Sequence, residues 1–89
     1  MAIETITVKV LYFGIVQEIF GLGEKIDQMP IGSTLETMID QHAKDPRFSQ
    51  YASFFRYAIN QKMVDHSNPA QVLLKDQDCI AVIPPMSGG

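Results

Sequence analysis

The sequence predicts an α+β fold, with one long helix lying across one face of a mixed β-sheet. Two observations carry this expectation. The clearest strand-like runs stand at opposite ends of the chain, residues 5–13 and 79–83, and they are also the longest and most apolar. Between them lies a single strongly amphipathic helical segment, starting near Ser33. One helix can cover only one face of a sheet, and the most apolar strands belong in its middle.

Each element follows from local pattern. In residues 5–13, Ile6, Val8, Val10 and Tyr12 share one parity, and Thr7, Lys9, Leu11 and Phe13 share the other. Side chains alternate across a strand, so the set holding Thr7 and Lys9 is assigned to the outer face. Gly14 ends this strand, Ile15 to Phe20 reads as a short helical turn closed by Gly21 and Gly23, and Glu24 to Met29 as a second, weaker strand. Pro30-Ile31-Gly32 is a turn. Ser33 with Glu36 three residues later reads as a capping box. The helix it opens carries Leu35, Met38, Ile39, His42 and Ala43 on one stripe, and Pro46 is expected to stop it. Residues 48–55 are aromatic-rich and read either as a turn of helix or as a crossing loop, packing Phe48, Tyr51 or Phe54 on the core. Tyr57 to Asn60 and Lys62 to Val64 are short strands around a tight turn at Asn60-Gln61. Residues 65–71 form a polar loop, Leu74 to Asp78 a turn, and Cys79 to Ile83 the last strand. There Ile80 and Val82 are assigned inward, and Cys79, Ala81 and Ile83 outward with Leu11 and Phe13. A β-bulge would invert that parity.

Composition narrows the function. A chain of 89 residues has room for one core, and 46% hydrophobic content is ample to fold it. A net charge of −3 argues against a nucleic-acid partner, which needs clustered Lys and Arg. No apolar run approaches the ~18 residues of a membrane span. Met1-Ala2-Ile3-Glu4 lacks the basic and apolar segments of a signal peptide, and the single cysteine excludes an internal disulfide. Together these point to a cytoplasmic protein.

The most informative segment is the end. After Pro84-Pro85 come Met86-Ser87-Gly88-Gly89. Glycines offer no side-chain chemistry, so any reaction here uses the backbone carboxyl of Gly89, and a glycine chain passes through channels too narrow for a Cβ. Residues 1–83 are therefore expected to form the folded domain and 84–89 a flexible tail. Extended, those six residues reach about 20 Å, and two prolines stiffen the root and lower the entropy lost on ordering.

Other candidate groups have plainer explanations. Cys79 lies inside a strand with no activating base nearby in sequence, and packing accounts for it. His42 sits on the helix stripe as a core-edge histidine. Asp65-His66-Ser67 holds triad residue types, but consecutive residues do not converge on one atom. One cysteine and two scattered histidines give no metal-ligand spacing. Gly21-Leu22-Gly23 lacks the third glycine and the strand-to-helix setting of a nucleotide loop.

Four stretches taken together resemble the small, sulfur-carrying subunit of molybdopterin synthases: Val8-Lys9-Val10-Leu11-Tyr12-Phe13-Gly14, Ala58-Ile59-Asn60-Gln61, Leu74-Lys75-Asp76-Gln77-Asp78, and Ala81-Val82-Ile83-Pro84-Pro85-Met86-Ser87-Gly88-Gly89. Gln77 departs from that family, which usually has glycine in the turn. The resemblance implies a ubiquitin-like β-grasp fold and a non-catalytic, sulfur-donating role within a sulfurtransferase complex. It implies that a ubiquitin-activating-type partner adenylates Gly89 with ATP. A persulfide-bearing partner then supplies sulfur for a thiocarboxylate, and the large synthase subunit uses it on cyclic pyranopterin monophosphate to build the dithiolene. Gly88 would thread into the partner's site. Phe13, Met63 and Ile83 match apolar partner-contacting positions, continued by Pro84, Pro85, Met86 and Ser87. No cofactor or metal is expected on this chain itself, and the expected assembly is a heterotetramer of two carriers on a large-subunit dimer. The same fold and tail would also serve a carrier for thiamine, cysteine, tRNA thiolation or a tungsten cofactor, or a ubiquitin-like modifier joined to lysines.

Overall fold

The first strand, β1 (Thr5–Tyr12), buries Ile6, Val8, Val10 and Tyr12 on one face, as its alternation predicts. In this computed structural model, which describes residues 4–65 and 67–85, the chain then makes α1 (Ile15–Phe20) and returns antiparallel as β2 (Glu24–Pro30). Next come α2 (Leu35–His42), the short α3 (Pro46–Ser49), a 3₁₀ turn at Ala52–Phe54, β3 (Arg56–Ile59), β4 (Lys62–Met63), a second 3₁₀ turn at Pro69–Gln71, and β5 (Cys79–Ile83). The sheet order is β2-β1-β5-β3-β4. β1 and β5 are the central pair and run parallel, while the other pairs are antiparallel. With the helices gathered on one face, this is the β-grasp arrangement.

The core lies between that face and α2, α3 and the connection after them. Val10, Val16, Met29, Leu35, Met38, Phe48, Ile80 and Val82 are fully enclosed. Rings of Tyr12, Phe20, His42, Phe48 and Phe55 form a continuous cluster with centroid separations of 5.0–5.8 Å.

Several local expectations are corrected. The helix cap is built one residue later than Ser33-Glu36. The Thr34 backbone N–H donates to Thr37 Oγ1 (3.1 Å), and the Thr37 N–H donates to Thr34 Oγ1 (3.3 Å). Ser33 instead donates its hydroxyl to the Pro30 carbonyl at 2.7 Å, closing the preceding turn. Pro46 does not stop α2, which has already ended at His42; it opens α3 at the first helical position, where a missing N–H costs nothing. Of the three aromatic residues offered for the core, Phe48 is the one that enters it, joined by Phe55, whereas Tyr51 and Phe54 remain 39% and 63% exposed. The 3₁₀ turn between them rotates their side chains outward.

Two turns use left-handed backbone without glycine. Asn60 (φ 53°) and Gln61 (φ 72°) join β3 to β4, and Gln77 (φ 71°) leads into β5. The departure at Gln77 therefore leaves the left-handed turn in place and strains it. Gln77→Gly should raise stability by about 0.5–1 kcal/mol, read as a higher denaturation midpoint at unchanged slope. The Gln77 side chain makes a long hydrogen bond to Asp76 Oδ1, at 3.4 Å, so little is lost with it.

Candidate functional site

Register places the predicted docking residues on one surface. Directly paired residues share a face, and Leu11 pairs with Ala81, Ala81 with Ala58, and Ala58 with Met63. These four form an apolar row across the sheet on the side away from the helices. The two alanines make its middle shallow, between the larger Leu11 and Met63. Ile83 lies one step further along, paired with Arg56, and Phe13 continues β1 beside it. Phe13 is 46% exposed and Met63 58%, while Leu11, Ala81 and Ile83 are half-buried. Ala58 is buried between them, so the face is open mainly at Phe13 and Met63, and a partly exposed apolar face of this kind marks an interaction site. Phe13, Met63 and Ile83 thus share one face of the sheet, and the outward parity assigned to Cys79, Ala81 and Ile83 holds.

The tail root leaves from the edge of this surface. β5 ends at Ile83, and Pro84 and Pro85 follow directly. Pro84 is seated against Gly14, the residue that ends the β1 segment. A Cβ on Gly14 would lie 2.9 Å from Pro84 Cγ, and Gly14 itself has φ 55° and ψ −130°, a conformation open essentially to glycine alone. From sequence Gly14 reads only as a strand terminator, because its contact is seventy positions away. A hollow of about 350 Å³ lies beside the root, lined by Gly14, Ile15, Tyr51, Phe54, Phe55, Pro84 and Pro85. A second, of about 590 Å³, runs from Phe54 and Pro85 to Met63 and Val64, bordered by Arg56 and Asp65. The tail root therefore departs from an apolar rim shared by the outer sheet face and the aromatic residues Tyr51 and Phe54. Met86, Ser87, Gly88 and Gly89 lie outside the described residues.

The turn before β5 is held rigidly. Asp78 is buried and accepts from Asn60 Nδ2 and from the Lys75 N–H, both at 2.8 Å. Asn60 Oδ1 accepts from the Cys79 N–H at 2.9 Å, so the β3–β4 turn is pinned to the first residue of β5. Every carboxylate and amide oxygen in this small network is occupied by a donor, which anchors the strand that carries the tail.

The remaining candidates have structural roles. Cys79 is half-buried on the outer face and bonded through its backbone to Asn60. The Asp65 carboxylate accepts from the Ser67 N–H at 3.0 Å, and His66 lies outside the described residues. Gly21 caps α1 in the left-handed conformation, donating to the Gln17 carbonyl. Among the described residues no three of His, Cys, Asp or Glu gather closely enough to hold a metal ion, and no helix is long and apolar enough to cross a membrane.

His42 is 6% exposed, with Nδ1 2.8 Å from the Met38 carbonyl and Nε2 2.6 Å from the Tyr12 hydroxyl. A carbonyl only accepts, so Nδ1 carries the proton and Nε2 accepts from Tyr12. Burial holds His42 below its ordinary range despite the Met38 bond, with Lys25 lowering it further and Asp27 opposing. Burial, helped by Asp27, pushes Tyr12 up to about 12. A histidine depressed in the folded state binds a proton more readily when unfolded. Stability should therefore be complete above the unfolded value of about 6.5 and decline as pH falls toward the folded value. Denaturant titrations across the mildly acidic range should show this loss in the native chain and a flatter profile in His42→Gln.

The chain's sequence matches the ThiS family profile over residues 10–89, which is most of its length and includes the Gly88-Gly89 end. The chain belongs to the ThiS family. It is 34% identical over 83 residues to a molybdopterin synthase sulfur carrier subunit of Chlamydomonas reinhardtii, an alignment covering 92% of this chain and 98% of that protein. Among solved structures, a candidate subunit 1 of molybdopterin converting factor from Pyrococcus furiosus is 26% identical, covers 91% of this chain and 99% of its own, and superposes with a TM-score of 0.75. Subunit 1 or 2 of the molybdopterin-converting factor of Helicobacter pylori, solved as a complex of both subunits, shares the fold. It has a TM-score of 0.66 at 23% identity, covering 94% of this chain and 100% of that one. The β-grasp topology implied by the family resemblance is thus shared by this ThiS-family chain and the two solved structures.

Proposed function

We propose that this chain is the sulfur carrier of a molybdopterin synthase, reacting through the carboxylate of Gly89. The observation that carries the reading is the meeting of Phe13, Met63 and Ile83 on one apolar face at the root of a tail that ends in Gly88-Gly89. ThiS-family membership and the name of the Chlamydomonas relative support it. A carboxylate resists nucleophiles, so a ubiquitin-activating-type enzyme first joins it to AMP, with pyrophosphate leaving ATP. Sulfur from a partner's persulfide then displaces AMP at the Gly89 carbonyl as an acyl disulfide, and a second thiol of that partner cleaves its S–S bond, releasing the thiocarboxylate and leaving the partner's two sulfurs joined as a disulfide. The large synthase subunit receives the apolar face, and the tail, stiffened by Pro84-Pro85, delivers sulfur to the pyranopterin precursor. The chain itself supplies position and the carbonyl carbon that carries the sulfur; ATP is used by the activating partner.

Reconstitution tests this directly. Incubation with an activating enzyme, ATP and a sulfur source should add about 16 Da to the intact mass, one oxygen replaced by sulfur. Adding the large subunit and precursor should then yield molybdopterin. A variant extended by one residue beyond Gly89 should do neither. Sulfur loading without conversion of the precursor would assign the chain to another thiolation pathway, and lysine-linked conjugates in the cell would assign it to protein modification.

A further inference from the structure

β2 forms one edge of the sheet and is paired on one side only. The direction of its free backbone groups follows from its bonds to the rest of the chain. Tyr12 donates its N–H to the Gly23 carbonyl, and Ile31 donates to the Glu4 carbonyl. These contacts lie in the same register as β1–β2, so odd-numbered residues of this segment turn their backbone groups toward β1. Glu24, Ile26 and Gln28 therefore turn theirs outward, and their side chains are all exposed. An open edge is a template for another strand.

We infer that this edge pairs antiparallel with the β2 of a second copy of the same chain, centred on Ile26. In that register Ile26 meets Ile26 and Glu24 meets Gln28, each pair exchanging outward N–H and C=O groups. Lys25 then faces Asp27 of the other copy, twice by symmetry, at the non-hydrogen-bonded positions where side chains stand closest, with Cα atoms about 4.5 Å apart. Neither Lys25 nor Asp27 makes an ion pair within the chain among the described residues. Ile26 is 58% exposed and gains an apolar partner.

The neighbouring registers are excluded by the same charges. Sliding the partner by one pair in one direction sets Lys25 against Lys25 and Ile26 against Glu24. Sliding it the other way sets Asp27 against Asp27 and Ile26 against Gln28. Pro30, with no N–H to offer, ends the ladder beyond Gln28. Charges on an edge strand usually repel other strands, and here they oppose both neighbouring registers while favouring the one centred on Ile26. The association is weak, because a ladder this short buries far less than a standard protein interface. It joins two sheets at the edge opposite β4 and leaves both tail roots free, and it does not depend on the sulfur-carrier reading.

Sedimentation equilibrium up to millimolar concentration should show reversible dimerisation of the native chain, weakened by salt. Lys25→Asp and Asp27→Lys should each weaken self-association about tenfold or more, since two attractive cross-strand pairs become repulsive. Mixed together, the two single variants should form a heterodimer, and the double variant K25D/D27K should dimerise like the native chain. A misfolded variant could not give that rescue. Amide exchange should slow with concentration at Glu24, Ile26 and Gln28 but not at Lys25 and Asp27, whose N–H groups already face β1. A chain that stays monomeric, or a dimer indifferent to these reversals, overturns the inference.

Discussion

Ile83→Asp is expected to cut affinity for the large synthase subunit by about thirtyfold or more, while the free chain stays folded. The size follows from burying a carboxylate in an apolar contact, where removing a central anchor alone costs about 2 kcal/mol or more. The fold should tolerate the change because Ile83 is half-buried on the outer face and stands in register with Arg56. In the free chain Arg56 lies across from the new carboxylate, and water reaches both. On docking, that solvation is lost. Phe13→Asp should behave similarly, being on the same face and nearly half exposed. Leu73→Asp is the matched control: Leu73 is 55% exposed, but it lies by its bridge to Thr34, next to the start of α2 and on the helix side of the sheet. Titration calorimetry with the large subunit, alongside circular dichroism of each variant, measures both halves of the expectation. Unchanged affinity of Ile83→Asp would remove the outer face from the docking surface.

Gly14→Ala should destabilise the chain by about 2–6 kcal/mol and also slow sulfur loading of the molecules that remain folded. Two separate costs meet at this position. The backbone at φ 55° and ψ −130° costs an L-residue roughly 1–3 kcal/mol. The added methyl would stand 2.9 Å from Pro84 Cγ, and relieving that contact costs about 1–3 kcal/mol more and shifts the root of the tail. Gly21→Ala isolates the first kind of cost in a milder form: Gly21 has φ 73° and ψ 15° with nothing within 4 Å of its Cβ position. Pro84→Ala on the Gly14→Ala background removes the clashing Cγ and should restore part of the stability. Because it also loosens the root, loading should recover less than folding does. If Gly14→Ala and Gly21→Ala prove equally mild in denaturant melts, the seating of Pro84 on Gly14 has no energetic weight.

Much of this molecule could be read from alternation and spacing. The parity of Ile6, Val8, Val10 and Tyr12 assigned the buried face of β1, and Ile80 with Val82 did so for β5, because a strand with one covered face obeys a strict period of two. The helix was legible from Leu35, Met38 and His42, but its cap was misplaced by one residue. Thr34 and Ser33 are chemically equivalent as caps, and only the turn at Pro30 decides which hydroxyl is free. The aromatic segment was the least legible. Phe48, Tyr51, Phe54 and Phe55 are all large and apolar, and a 3₁₀ turn, which has no strong sequence signature, selects which two point inward.

The tail illustrates the division most clearly. The Gly88-Gly89 pair that the proposed chemistry uses belongs to the covalent chain, so composition and order suffice to recognise it. Which residues surround its root is a matter of register between strands far apart in sequence. Phe13, Ile83 and Met63 became one surface only when β1, β5, β3 and β4 were laid side by side, and Gly14 acquired its role only when Pro84 came to rest on it. Local forces act within a few residues and leave a periodic trace, whereas contacts between distant segments are settled by packing the whole core at once.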